Sequence, residues 1–136
     1  MSTVRLWTDA EAEKDSRVKA VFDDIRATRK TGFVNNVWRA LANHPDTLER
    51  IWAGVKDVMV KPGELDPLVK EMIYIAVSIS NGCGYCVHSH TAAAKAKGMT
   101  PGQHAELLAV VAMAAQTNSL LQGLQLPVDQ PFLVES

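Results

Sequence analysis

Four side chains that could do chemistry together occur in one stretch, from Glu71 to His90. The stretch holds both cysteines of the chain, Cys83 and Cys86, at CxxC spacing, and His90 follows four residues after the second. A thiol acts as a nucleophile or a metal ligand only as the thiolate, and an ordinary cysteine, with a pKa of about 8.5, is mostly protonated at neutral pH. A site that uses these cysteines therefore needs an element that stabilises a thiolate.

The two cysteines are predicted to lie at the start of a helix that begins near Cys83 and reaches Lys97, with Gly98 as its terminator. Unpaired N–H groups and a partial positive charge at a helix N-terminus favour an anion such as a thiolate. Residues three or four apart share a helix face, so the two thiols can reach each other and His90 can exchange a proton with Cys86. The pattern predicts a site that generates a thiolate with a second thiol beside it.

Glu71 is the one carboxylate in an otherwise apolar helix, which is predicted to start at the cap Asp66 and to run to about Ser80. A buried carboxylate is costly without a partner, and desolvation would raise its pKa, so that Glu71 could act as a general base near neutral pH. A turn at Asn81-Gly82 would fold the two helices back on each other and bring Glu71 beside the cysteines. The alternative is a surface glutamate in the first turn of its helix.

The remaining elements are also predicted to be helical. Apolar residues at three- and four-residue spacing predict a first helix that is capped at Thr8 and ends by Gly32, followed by helices over 36–43 and 46–60. Thr100 and the proline after it open a further helix, expected to reach residue 115 and as far as 121. No stretch alternates convincingly with period two. The predicted fold is all-α, a compact single domain of about six helices over residues 1–136, with an irregular tail from about residue 125.

Charge and hydropathy limit the possible partners and the compartment. The formal net charge of −1 gives no electrostatic reason to expect nucleic acid or an anionic membrane as a partner. Met1–Thr8 lacks the pattern of a signal peptide, and the longest uninterrupted apolar run, Leu107–Ala115, is shorter than the ~20 residues that span a bilayer. We expect a cytoplasmic protein with no nucleic-acid or membrane partner. In a reducing compartment a CxxC pair indicates redox or metal chemistry.

The spacing of Glu71, Cys83, Cys86 and His90 resembles the signature of the alkylhydroperoxidase D-like proteins of the carboxymuconolactone decarboxylase superfamily. The upstream stretch TGFVNNVWRALANHPDTLERIW is similar to the lead-in of peroxidase-related members of that group. The resemblance covers roughly residues 32–121. It implies the helical fold of that family, with its core in this range.

The resemblance also implies a role for each of the four residues. Cys86 corresponds to the peroxidatic cysteine, which reacts first with the hydroperoxide and becomes a sulfenic acid, and Cys83 to the resolving cysteine, which closes the disulfide. Glu71 corresponds to the general base and His90 to part of the proton relay. Tyr85 stands where the best-known branch has a further relay histidine, so the relay here is shorter. Decarboxylase members lack the cysteine pair, which argues against decarboxylation.

The resemblance implies the partners as well. They are a hydroperoxide substrate, an external dithiol that reduces the disulfide, with a lipoyl-bearing protein as the family precedent, and further copies of the chain in a homo-oligomer, either a trimer or a hexamer. The apolar excess of the helices over 66–80 and from 100 onward is compatible with a subunit interface. This chemistry requires neither a cofactor nor a metal.

Other interpretations of the cysteine pair stay open. Zinc could be bound by Cys83, Cys86 and His90, with His88 or His104 as a fourth ligand, although structural zinc sites usually bring a second pair of ligands and the chain has only two cysteines. The pair could also sense redox state without turnover, serve as a disulfide reductase, or be inert and buried. Haem attachment is excluded because Val87, not histidine, follows the second cysteine.

Overall fold

The computed structural model describes residues 1–133, and these residues confirm the all-α prediction. They form seven α-helices, one π-helical turn and one short 3-10 turn, and no strand occurs among them. The chain divides into two compact units, an N-terminal unit, Met1–Lys61, and a C-terminal unit that begins at Pro62. The expectation of one domain over residues 1–136 stays a prediction.

Four helices build the N-terminal unit. They are α1 (Asp9–Ala12), α2 (Ser16–Arg29), α3 (Asn36–Leu41) and α4 (Pro45–Val55), and α4 continues as a π-helical turn, Lys56–Val60. The prediction of one helix from Thr8 to Gly32 is wrong, because Asp15 starts a new helix: its side chain accepts the backbone N–H groups of Arg17 and Val18.

The core of the N-terminal unit is centred on two tryptophans, Trp38 and Trp52. Their rings pack edge to face with centroids 5.2 Å apart, and the indole N–H of Trp52 donates a hydrogen bond of 2.7 Å to Asp24. Phe22, Ile25 and the other buried apolar residues of this unit surround them; these are Ala12, Val18, Val21, Val34, Ala42 and Leu48.

Three helices build the C-terminal unit: α5 (Pro67–Ser80), α6 (Gly84–Ala96) and α7 (Pro101–Leu124). Asp66 caps α5 as predicted, with Pro67 at the first helical position, and Thr100 with Gln103 forms a capping box that opens α7. Gly82 adopts a positive φ of 70° in the turn between α5 and α6, a conformation that favours glycine. Helix α5 packs against both α6 and α7, and the small buried cluster of this unit comprises Ile75, Ala94, Met99 and Leu107.

Much of the apolar surface of α5 and α7 is not covered within the chain. Within the single chain α5 is not buried on all of its apolar faces, because Val69, Ile73 and Val77 are exposed. Helix α7 extends past residue 121 to Leu124, and only 6% of its most apolar 18-residue window is buried. With a mean hydropathy of 1.3, this helix is long and apolar enough to cross a membrane. Length and composition alone do not distinguish such a segment from an apolar subunit interface.

The chain after α7 is mostly irregular, in agreement with the tail predicted from about residue 125. Its described part contains one 3-10 turn, Gln130–Phe132. Residues 134–136, the end of the predicted tail, lie outside the described residues.

Candidate active site

The two cysteines lie at the N-terminus of α6, as predicted, and are joined in a disulfide. Cys83 is the N-cap residue, and its Sγ accepts the backbone N–H of Cys86 at 3.3 Å. The Cα atoms of the two residues are 5.3 Å apart, within the range of ordinary disulfides. The sulfur of Cys83 thus accepts a backbone N–H at the start of the helix, and the N-terminus of a helix favours thiolates at both cysteines after reduction.

Glu71 and His90 meet between α5 and α6. The Nδ1 atom of His90 lies 2.7 Å from Oε2 of Glu71. The Glu71 side chain is only 8% exposed, so the alternative of a surface glutamate is wrong. Because α5 and α6 pack closely after the turn at Gly82, a residue early in α5 reaches the middle of α6. His90 lies one helical turn after Cys86, on the same face of α6.

Lys97 is a third member of this group, and it was not predicted from the sequence. Its Nζ atom donates a hydrogen bond of 3.0 Å to Oε1 of Glu71, the oxygen that His90 does not contact. At about 100° per residue, Cys86, His90 and Lys97 lie within roughly 40° of one another around the axis of α6. Their spacing of four and seven residues was the signal that could have identified Lys97.

Tyr74 is the fourth partner, and it was missed as well. Its ring stacks on the imidazole of His90, with centroids 3.6 Å apart and an angle of 20° between the ring planes. Tyr74 follows Glu71 by three residues on α5, so both side chains lie on the face of α5 that meets His90. His90 is therefore held by an ionic hydrogen bond at one nitrogen and by a stacked ring on its face.

The protonation state of Glu71 differs from the prediction. Burial raises the pKa of the Glu71 carboxyl, but the hydrogen bonds from His90 and Lys97 outweigh burial, and the pKa lies below its ordinary value. The expected upward shift toward neutral pH is wrong because two donors meet the carboxylate. An ionised carboxylate only accepts hydrogen bonds, so Nδ1 of His90 donates and Nε2 is the nitrogen that can take up a proton.

A zinc site requires several donor side chains close together. Within residues 1–133 no group of three or more His, Cys, Asp or Glu side chains is arranged so that it could hold a metal ion. Both sulfurs are bonded to each other, and His88 is exposed on α6, about 200° around the helix from Cys86. His104 lies in the first turn of α7.

A comparison with protein families assigns the chain to one of them. The model of the carboxymuconolactone decarboxylase family matches residues 45–129, more than half of the chain. The chain belongs to the carboxymuconolactone decarboxylase family. The match begins in α4 and extends past α7, so this family region includes all the residues of the candidate site.

Two relatives refine the family assignment. The crystal structure of the alkylhydroperoxidase AhpD core from Rhodospirillum rubrum is 64% identical to this chain, covers 99% of each chain and superposes with a TM-score of 0.97. An uncharacterised protein of Cupriavidus necator is 32% identical over 77 residues, which are 57% of this chain and 68% of that protein. The expected resemblance to alkylhydroperoxidase D-like proteins and the predicted helical fold of that group are thereby confirmed.

Proposed function

We propose that this protein is a thiol-dependent oxidoreductase that reduces alkyl hydroperoxides, with Cys83 and Cys86 cycling between dithiol and disulfide. The observation that carries the proposal is the disulfide at the N-terminus of α6, one helical turn before a histidine held by a buried, ionised glutamate. The 64% identity to an alkylhydroperoxidase AhpD core supports this activity over the decarboxylation for which the family is named.

The proposed reaction needs no cofactor, because the two cysteines supply both electrons. The Cys86 thiolate attacks the outer oxygen of the hydroperoxide, so that an S–O bond forms, the O–O bond breaks and the alkoxide leaves as the alcohol after protonation. The Cys83 thiolate then attacks the sulfenic sulfur, so that the S–S bond forms and the S–O bond breaks, and the leaving hydroxide takes up the proton given up by Cys83 to become water. The cysteines lose two electrons, and the hydroperoxide gains them.

His90 is assigned the proton transfers at Cys86, and Glu71 holds His90 in place. Since Glu71 is ionised and accepts from Nδ1, the proton from the thiol goes to Nε2 of His90 and is returned to the alkoxide. The general base implied for Glu71 is thus a pair, in which the imidazole takes the proton and the carboxylate stabilises the imidazolium that forms.

An external dithiol completes the cycle by thiol–disulfide exchange, which favours a reducing compartment such as the cytoplasm. A lipoyl-bearing protein is the reductant that we propose from the family precedent. Tyr85, between the cysteines in sequence, is exposed and stands in the place of the missing relay histidine. His90 is therefore the histidine of the proposed relay.

The test is peroxide consumption with tert-butyl hydroperoxide as substrate and dihydrolipoamide as reductant. We expect Cys86→Ser to lose turnover to background, and Cys83→Ser to stop after one equivalent with a sulfenic acid that a dimedone-type reagent traps.

His88→Ala is the matched control for His90→Ala, because both histidines are on α6 and only His90 contacts Glu71. We expect His88→Ala to keep its turnover and His90→Ala to lose about 100-fold or more. Full turnover in Cys86→Ser would contradict the assignment.

A further inference from the structure

We propose that Lys97 is a positioning residue that keeps the buried Glu71 carboxylate ionised and oriented, so that His90 holds its proton on Nδ1 and offers Nε2 to the Cys86 thiol. The inference rests on the proposed function, since it gives Lys97 a task in activating Cys86. It concerns a residue outside the cysteine, glutamate and histidine signature.

The geometry divides the carboxylate between two donors. Oε2 of Glu71 lies 2.7 Å from Nδ1 of His90, and Oε1 lies 3.0 Å from Nζ of Lys97. With each oxygen engaged by a different side chain of α6, the carboxyl plane has little freedom to rotate away from the imidazole. Lys97 therefore fixes the orientation in which the carboxylate meets His90.

The backbone at Lys97 is well anchored, so that its side chain can hold Glu71 in one orientation. It is the C-cap residue of α6, and Gly98 beyond it has a positive φ of 98°, so the helix ends there and Met99 enters the buried cluster. Helical side chains lean toward the N-terminus, which directs the Lys97 ammonium back toward Glu71 and His90. The lysine side chain is 39% exposed, so its ammonium stays partly hydrated while Glu71 is buried.

The charge of Lys97 matters because burial alone disfavours the ionised form of the Glu71 carboxyl. Burial raises the pKa of Glu71, and the hydrogen bonds from His90 and Lys97 lower it. The other ionisable side chains on its own helix are Lys70 and Tyr74, and the helices packed against it carry His104 and Glu106 on α7 and Tyr85, His88, His90, Lys95 and Lys97 along α6 and its C-cap. Of these, only Lys97 and His90 are among the groups that shift its pKa.

Loss of Lys97 has a defined chemical consequence. Without the ammonium the carboxyl takes up a proton at a higher pH, and a protonated carboxyl donates its hydrogen to Nδ1. The imidazole proton then moves to Nε2, which can no longer accept the thiol proton of Cys86. As the pH is lowered, the activation of Cys86 should therefore be lost at a higher pH without Lys97 than with it.

The first test uses the oxidised protein, in which no peroxide chemistry is needed. Carbon-13 NMR follows the titration of the Glu71 carboxyl, and nitrogen-15 NMR reports which nitrogen of His90 carries the proton. In Lys97→Met we expect the Glu71 midpoint to move to higher pH and the His90 proton to move to Nε2 where the wild type keeps it on Nδ1. Lys97→Arg should restore both, and Lys95→Met, which removes one charge from the same helix end, should change neither. If Lys97→Met does not fold, Lys97→Gln supplies the neutral variant.

The second test follows alkylation of the reduced thiols by iodoacetamide across pH. We expect the rate in Lys97→Met to fall about tenfold near neutral pH, with the acid limb displaced to higher pH and with recovery in Lys97→Arg. An unchanged Glu71 titration and an unchanged His90 tautomer in Lys97→Met would overturn the inference. A wild type that does not reduce hydroperoxides, but whose Glu71 and His90 respond to Lys97 as described, would overturn the proposed function and support this inference.

Discussion

At the scale of single residues, both oxygens of Glu71 have a donor, and the ring of His90 has a partner at its edge and on its face. Burying an ionised carboxylate costs several kcal/mol of hydration free energy. Charge-assisted hydrogen bonds and nearby opposite charges offset a cost of about this size. The site therefore keeps Glu71 charged where burial alone would neutralise it. An imidazole held in one orientation can meet the thiol repeatedly in the same geometry.

The stacked ring of Tyr74 leads to a prediction about catalysis. Aromatic pairs contribute about 0.5–1.5 kcal/mol beyond their buried area, so losing the orientation they provide should slow turnover roughly two- to tenfold. We expect this loss in Tyr74→Ala, measured as kcat for tert-butyl hydroperoxide, and little change in Tyr74→Phe, which retains the ring. An equal loss in both variants would show that the hydroxyl, not the stack, is required.

The types and spacing of Cys83, Cys86 and His90 were sufficient to predict them as one group on a helix, whereas Glu71 was added by the expected turn at Asn81-Gly82 and by the family resemblance. Lys97 and Tyr74 were not predicted, because their contribution depends on how α5 is rotated against α6. The predicted direction of the Glu71 pKa shift was wrong because it, too, depends on how the two helices are rotated against each other. Burial of a helical carboxylate can be predicted from its apolar neighbours, whereas the donors that reach it come from another helix.

At the scale of elements, capping chemistry explains which helix boundaries were predictable. Asp66 and Thr100 mark the starts of α5 and α7 in the sequence as in the structure. The break between α1 and α2 was missed because Asp15, which caps α2, occurs within a pattern of continuous helical spacing. The end of α7 lies beyond the prediction because Leu121 and Leu124 continue the helix before Gln125 ends it in a left-handed conformation.

Helix α7 also supports a prediction about assembly. Val110 is 68% and Met113 is 60% exposed, in a helix whose apolar residues are mostly uncovered within the chain. Exposed apolar surface of this extent is typical of an interaction site, and we propose that further copies of this chain cover it in a trimer or hexamer.

We expect wild-type protein to elute as a homo-oligomer in size-exclusion chromatography with light scattering. Val110→Asp and Met113→Asp should each lower the mass toward that of the monomer, because a carboxylate would be buried in an apolar interface without a partner. Val4→Asp, which changes an exposed apolar residue outside α7, is the control and should leave the mass unchanged. A monomeric wild type at micromolar concentration would contradict the proposed assembly.

At the scale of the whole molecule, the residues of the proposed site lie together in the C-terminal unit, while the family match begins in α4 and includes part of the N-terminal unit. The all-α class was predictable from the absence of two-residue periodicity and from the repeated helix caps. The division into two compact units was not, because the helical spacing of one segment carries no information about which other segments it contacts. The chemistry proposed here uses the residues of α5 and α6.

The central claim is that Cys83 and Cys86 react with a hydroperoxide as a pair. It is tested most directly by mass spectrometry of the fully reduced protein, with the thiols counted before and after one equivalent of tert-butyl hydroperoxide and with metal content assayed on the same sample. We predict rapid loss of both thiols to a Cys83–Cys86 disulfide in protein without stoichiometric metal. Thiols that persist in the presence of the hydroperoxide, or stoichiometric zinc with slow oxidation, would contradict the peroxidase cycle.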